Sequence, residues 1–161
     1  DVLTKLPNRR HAMRRLSELW QESSQNLSDL SCMMIDADGF KSINDQFGHS
    51  AGDAVLFTLA RCMREAVRND DIVCRLGGDE FLVICPQTPL NGALHVAEML
   101  RKAVANLRVP VIKGEWLGSI SIGVAAGNKG MNSPDDLIKL ADEGVYAAKR
   151  SGRNCVRTAA H

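Results

Sequence analysis

Apolar positions along this chain switch repeatedly between a helical and a strand period. Ala12, Met13, Leu16, Leu19 and Trp20 recur every three or four residues, one stripe over nearly three turns, and Asp1 to Arg10 leads into that helix. The polar, serine-rich stretch from Gln21 to Ser28 reads as its end and a loop. Leu30-Ser31-Cys32-Met33-Met34-Ile35 is apolar almost throughout, which suits a central strand covered by helices on both faces. Phe40, Ile43 and Phe47 make a short helical face closed by Gly48. Ser50 to Asp53 then open a longer helix through Val55, Leu56, Leu59, Cys62, Met63, Ala66 and Val67. Asp71-Ile72-Val73-Cys74 and Phe81-Leu82-Val83-Ile84-Cys85 read as strands joined by a tight primed turn, with Gly77-Gly78 supplying the positive φ values.

Leu90 to Asn106 carries another amphipathic stripe, Leu94, Val96, Ala97, Leu100, Ala103 and Val104. Val109–Ile112 and Gly118–Ala125 read as two further strands, with Lys113-Gly114-Glu115 as a turn between them. Ser133-Pro134-Asp135-Asp136 has the chemistry of a helix start: a serine cap, a proline in the first turn and acids at the positive end. That helix runs through Leu137, Leu140, Ala141, Val145 and Ala148 to a C-cap at Gly152, and a short strand is expected at Asn154–Arg157 before a frayed end. The order predicts one α/β domain (an α+β sandwich) over residues 1–161, with a mixed central sheet of about five strands flanked by helices.

Composition narrows the function. With 20 basic and 19 acidic residues the formal net charge is +1, so no bulk field favours nucleic acid or an anionic membrane, and phosphate binding must be local. No apolar run nears the roughly 20 residues that span a bilayer. The five cysteines show no C-x-x-C pair and lie mostly in apolar patterns, so they read as structural thiols in a reducing, cytoplasmic setting. The chain opens on Asp1, and is expected to be the C-terminal piece of a longer sensor protein.

Two acidic strand ends carry the candidate chemistry. Asp79 and Glu80 directly follow the glycine turn, where a hairpin alone needs no carboxylates; a solvated tip is the bland meaning of such a pair. Asp36-Ala37-Asp38-Gly39-Phe40-Lys41 leaves the buried strand in the same manner and leads into a helix, whose N-terminal N–H groups suit anions. Asp38 taken alone serves equally as a cap for that helix. Asp36 lies deeper, where an unpaired carboxylate is costly and a metal would compensate it. Neighbouring strands would bring Asp36 and Asp79 to one edge, and two carboxylates with a phosphate substrate are a minimal recipe for magnesium. Asn44 and Asp53 fall on neither apolar stripe; an amide and a carboxylate suit a purine edge, although a solvated helix surface is by itself the commoner case. Lys149 and Arg153 stand at the end of the last helix, where basic residues also complement its dipole.

Taken together, these blocks resemble the GGDEF domain of diguanylate cyclases over essentially the whole chain. The resemblance is carried by Asp1-x-Leu3-Thr4-x-Leu6-x-Asn8-Arg9-Arg10, Asp36-x-Asp38-x-Phe40-Lys41-x-Ile43-Asn44-Asp45 and Gly48-His49-x-x-Gly52-Asp53. It continues in Gly77-Gly78-Asp79-Glu80-Phe81, Ser121-Ile122-Gly123-Val124-Ala125 and Ala141-Asp142-x-x-x-Tyr146-x-Ala148-Lys149-x-x-Gly152-Arg153-Asn154. It implies a fold like the palm of nucleotide cyclases and polymerases, and condensation of two GTP into cyclic di-GMP with release of pyrophosphate. Asp36, Asp79 and the carbonyl of Ala37 would hold Mg2+ or Mn2+, two ions per GTP. Glu80 would assist deprotonation of the 3′-hydroxyl or support the metals, and Gly77 and Gly78 would let the backbone pass close to the nucleotide. Asn44 and Asp53 would read guanine. Gly39, Phe40, Lys41, Lys149 and Arg153 would hold the phosphates.

The resemblance further implies a two-fold homodimer with one GTP per domain, controlled by an upstream sensor. Arg68-Asn69-Asp70-Asp71 is an R-x-x-D five residues before Gly77, the spacing of the product-inhibition site, with Arg68 and Asp71 gripping cyclic di-GMP. Met99 stands where relatives often carry an assisting arginine, and Arg101 is expected to point elsewhere. The alternative is a catalytically silent signalling domain that binds GTP or cyclic di-GMP; silent relatives usually lose a metal or turn residue, and this chain keeps them.

Overall fold

The computed structural model describes residues 1–159. In chain order its elements are α1 (Arg9–Asn26), β1 (Leu30–Ala37), α2 (Phe40–Phe47), α3 (His49–Ala66), β2 (Ile72–Gly77), β3 (Glu80–Pro86), α4 (Leu90–Ala105), β4 (Arg108–Val111), β5 (Gly114–Leu117), β6 (Ile120–Ala126), α5 (Pro134–Arg150) and β7 (Val156–Arg157). The run expected to be central is central: the sheet order is β2-β3-β1-β6-β7. β1 pairs antiparallel with both β3 and β6, and only the β6–β7 pair is parallel, so this is the mixed α/β sheet the alternation predicts.

Side-chain alternation along β1 divides the core into two layers. Cys32 and Met34 point to a cluster completed by Leu16 and Leu19 of α1 and Leu137, Ala141 and Val145 of α5. Met33 and Ile35 point to the opposite cluster, closed by Leu56 and Leu59 of α3 and Val96 and Leu100 of α4. A strand covered on both faces has no solvated positions, which explains its unbroken apolar sequence. α5 lies unusually close to the sheet. A Cβ on Gly123 would meet the Ala141 carbonyl oxygen at 2.0 Å, and one on Gly144 would meet Gly123 Cα at 2.8 Å.

Several boundaries differ from expectation. α1 continues to Asn26, because Gln21–Asn26 holds no breaker and its polar residues need only face water; Leu27 ends it in the left-handed region at φ 53°. Lys113-Gly114-Glu115 is not a turn between two strands of one sheet. Gly114–Leu117 is itself a strand, β5, forming with β4 a separate two-stranded hairpin. So short a strand buries one side chain, Trp116, too little to give a readable alternation. In the signature hairpin Gly77 pairs with Glu80, so the two-residue turn is Gly78-Asp79 and not Gly77-Gly78. A register shift between Arg75 and Gly77 displaces it by one residue. Gly77 at φ 153° and Gly78 at φ 52° do both occupy the region that favours glycine. The expected frayed end lies partly on residues 160 and 161, outside the described residues; Ala159 just before them is buried.

Candidate active site

The alternation of β1 decides where its terminal carboxylate points. Asp36 continues the Cys32–Met34 face toward α5, with Glu80 directly across on β3 and Ser121 across on β6. The next backbone step links the hairpin turn to the same strand end, Ala37 N–H donating to the Asp79 carbonyl at 3.4 Å. The structure thus brings Asp36, Ala37, Asp79 and Glu80 together. Burial, then the charge of Asp36, push the Asp79 carboxyl above its ordinary range, with Lys149 opposing. Burial and Asp36 likewise raise Glu80; Asp142 adds to the rise and Arg9 opposes it.

Asp36 is not unpaired, as its position in the strand led us to expect. Lys149, from the last turn of α5, donates directly to its Oδ2, the side chains being 35% and 15% exposed. Among the described residues no group of three or more His, Cys, Asp or Glu side chains stands ready to hold a metal. The set is two carboxylates and a carbonyl, hard oxygen donors that leave positions for waters and phosphate oxygens, which fits Mg2+ or Mn2+. The repulsion that raises Asp79 is what a divalent ion would relieve.

Asp38 does not cap α2. The N-cap is Gly39, left-handed at φ 76° and without a side-chain bond, so the first N–H groups of α2, at Phe40 and Lys41, stay open to an anion. Lys41 is exposed, Phe40 anchors the turn in the core, and Arg153 reaches to 3.8 Å from Asp38. Gly39, Phe40, Lys41, Lys149 and Arg153 therefore gather where α2 begins and α5 ends. Asn44 lies against Gly52: a Cβ there would come within 1.9 Å of Asn44 Oδ1, a buried oxygen without a hydrogen-bond partner. Exposed Asp53 is the next residue along α3.

Sequence reasoning missed several supports. Arg75, just before the turn, donates from Nε to the Gly78 carbonyl at 3.0 Å and from Nη1 to Asp1 at 3.2 Å, tying the first residue to the hairpin. Ser121 is wholly buried, and a polar residue inside an otherwise apolar strand was the available signal. The cysteines behave as expected: all five are free, and burial pushes Cys74 and Cys85 up to about 12, with Cys32 also raised.

The R-x-x-D pair lies at the start of β2. Arg68 forks onto Asp71, Nε to Oδ2 at 2.9 Å and Nη2 to Oδ1 at 2.8 Å, and also reaches Thr88 Oγ1 at 2.7 Å. The Asp71 side chain is 0% exposed against 49% for Arg68, so the carboxylate expected to accept from a ligand is turned to its own arginine. Met99 is exposed on α4, while Arg101 turns to Glu98 at 2.5 Å and to Asn154 Oδ1 at 3.4 Å.

Fold and site together define a three-layer α/β domain whose acidic strand ends face the open N-terminus of α2 and the basic side chains at the end of α5. The chain matches the family described as "Diguanylate cyclase, GGDEF domain" over residues 1–155. It is 46% identical over 158 residues to the response regulator PleD of Caulobacter vibrioides, covering 97% of this chain and 35% of that protein. It is 42% identical over 159 residues to the diguanylate cyclase DgcM of Escherichia coli, covering 99% and 38% respectively. It thus spans little more than a third of these relatives' length. Among solved structures, the GGDEF domain of YfiN (TpbB) from Pseudomonas aeruginosa superposes with a TM-score of 0.90 at 36% identity, covering 98% of this chain and 99% of that one. The GGDEF domain of DgcB from Caulobacter crescentus, solved in complex with c-di-GMP, gives a TM-score of 0.90 at 30% identity, covering 98% and 90%. The chain belongs to the GGDEF family.

Proposed function

We propose that this domain is a diguanylate cyclase, condensing two GTP molecules into cyclic di-GMP with release of pyrophosphate. The observation that carries the reading is the meeting of the Gly77-Gly78-Asp79-Glu80 hairpin with the Asp36 end of β1, beside Lys149. Each 3′-hydroxyl attacks the α-phosphate of the other nucleotide in line, and the protein's part is position and charge. Asp36, Asp79 and the Ala37 carbonyl would hold two divalent ions per GTP, which when bound neutralise charge on the phosphates. The open N–H groups after Gly39, with Lys41, Lys149 and Arg153, hold the triphosphate. Asn44 and Asp53 read guanine, Asn44 from its place against Gly52 and Asp53 from its exposed position one residue further along α3. Glu80, raised by burial and by Asp36, is shifted in the direction a general base for the 3′-hydroxyl needs.

One nucleotide per domain requires two copies facing each other about a two-fold axis. Product inhibition works through Arg68, its exposed edge gripping the dinucleotide while Asp71 holds the guanidinium in place. The chain at high concentration with GTP and Mg2+ should yield cyclic di-GMP by chromatography, and Asp79→Ala should lower the rate by more than about a hundredfold, beyond the loss of an outer-shell partner. No product, even after fusion to a dimerising coiled coil, would replace the cyclase with a silent nucleotide receptor.

A further inference from the structure

Asp38 is a heavily bonded side chain near the site and has no role in the mechanism above. It is 8% exposed. Its Oδ1 accepts from Ser121 Oγ at 2.7 Å; its Oδ2 accepts from Ser119 Oγ at 2.5 Å and from the Asn154 N–H at 3.0 Å. Its own N–H donates to the Ser119 carbonyl at 2.9 Å, and its carbonyl accepts from Trp116 Nε1 at 2.9 Å. With both carboxylate oxygens occupied from within the protein, Asp38 is poorly placed to bind a metal.

What it holds is the backbone after α5. Gly152, Arg153 and Asn154 run at φ 107°, 66° and 45°, three consecutive left-handed residues, two of which carry a Cβ. Residues with a Cβ occupy that region only where neighbours hold them. The holds on this run include the Gly152 N–H bond to the Lys149 carbonyl at 3.3 Å, the Arg153 N–H bond to the Ala148 carbonyl at 3.0 Å, the Arg101 contact with Asn154, and the Asp38 carboxylate, which alone of these ties it to the β1–α2 junction. The same carboxylate lies 3.8 Å from Arg153 Nη1, and the residue immediately precedes Gly39 and the open end of α2.

We propose that Asp38 is a positioning residue for nucleotide binding: it fixes the left-handed turn at Gly152–Asn154, and with it the direction of Arg153, relative to the start of α2. This role rests on the GTP-binding function above. The test uses 3′-deoxy-GTP with Mg2+, which lacks the attacking hydroxyl and so binds without turnover, and reads its dissociation constant calorimetrically.

Asp38→Asn keeps the shape but removes one acceptor and the charge beside Arg153, and should weaken binding about tenfold. Arg153→Ala should weaken it similarly. Because Asp38 acts through Arg153, the double variant should bind within about threefold of Arg153→Ala alone. Ser121→Ala and Ser119→Ala, which keep the carboxylate but each remove one of its donors, should give smaller losses, and they carry the test if Asp38→Asn does not melt cooperatively. Unchanged binding in Asp38→Asn, or in both serine variants when these stand in for it, would overturn the role. So would losses that add in full in the double variant. A wild-type chain that binds no 3′-deoxy-GTP would instead overturn the GTP function on which the role depends.

Discussion

Asp79 and Glu80 are held against their own ionisation. Their carboxyls are raised in the folded state by burial and by Asp36. The folded protein therefore binds their protons more tightly than the unfolded chain does. Stability from this source is present at acid pH, and is lost as pH rises from the ordinary carboxylate range through the raised folded values. At neutral pH both residues oppose folding. Asp79→Asn and Glu80→Gln should each raise the Tm by a few degrees at pH 7, and the gain should vanish near about pH 4. Added Mg2+ should raise the wild-type Tm but not that of Asp79→Asn. A wild type already as stable as Asp79→Asn at pH 7 would show that the charge is not strained. Gly52 poses a different question, since a methyl there meets Asn44 Oδ1 at 1.9 Å. Gly52→Ala should displace the amide and raise the KM for GTP, with little loss of stability if Asn44 swings outward. An unchanged KM would separate Asn44 from guanine recognition.

Among the elements, the α5–β6 contact fixes the height of Lys149 above Asp36. A Cβ on Gly123 would strike backbone at Ala141 and Val145, which no rotamer change relieves. Gly123→Ala should therefore cost about 3 kcal/mol or more in denaturant melts. Any variant that still folds should show a weakened Lys149–Asp36 pair. A neutral Gly123→Ala would mean that α5 can lift away freely. This contact was not legible in the sequence, because a glycine on a strand and a glycine on a helix announce nothing until packing sets them face to face. What was legible followed periodicity: β1 as the central strand, α3 and α4 by their stripes, and the nearness of Asp36 to the glycine hairpin. The Gly78-Asp79 turn slipped by one residue because a bulge leaves no mark on an apolar pattern. β5 was missed because a single buried tryptophan makes no alternation. Asp38 showed a carboxylate before a helix, but its partners Ser119, Ser121 and Asn154 lie some eighty or more positions away along the chain.

For the whole molecule, the proposed product, built from two nucleotides, would make activity a property of pairs. The initial rate per chain should rise with protein concentration until dimers saturate, and a rate per chain independent of concentration would contradict the two-fold arrangement. Arg68→Ala should relieve inhibition by added cyclic di-GMP while leaving the initial rate near wild type. Persistent inhibition in that variant would move the inhibitory contact elsewhere. The sheet order has a further consequence, for the ribosome. β1 is made early, apolar on both faces, yet Cys32 must wait for Ile84 and then for Ala125 to close its two flanks. At a synthesis rate of about 5–20 residues per second, the strand destined for the middle of the protein stays without its second neighbour for about 5 to 20 s. The nascent chain must pass that interval with one edge of an apolar strand unpaired, a natural client for a holding chaperone.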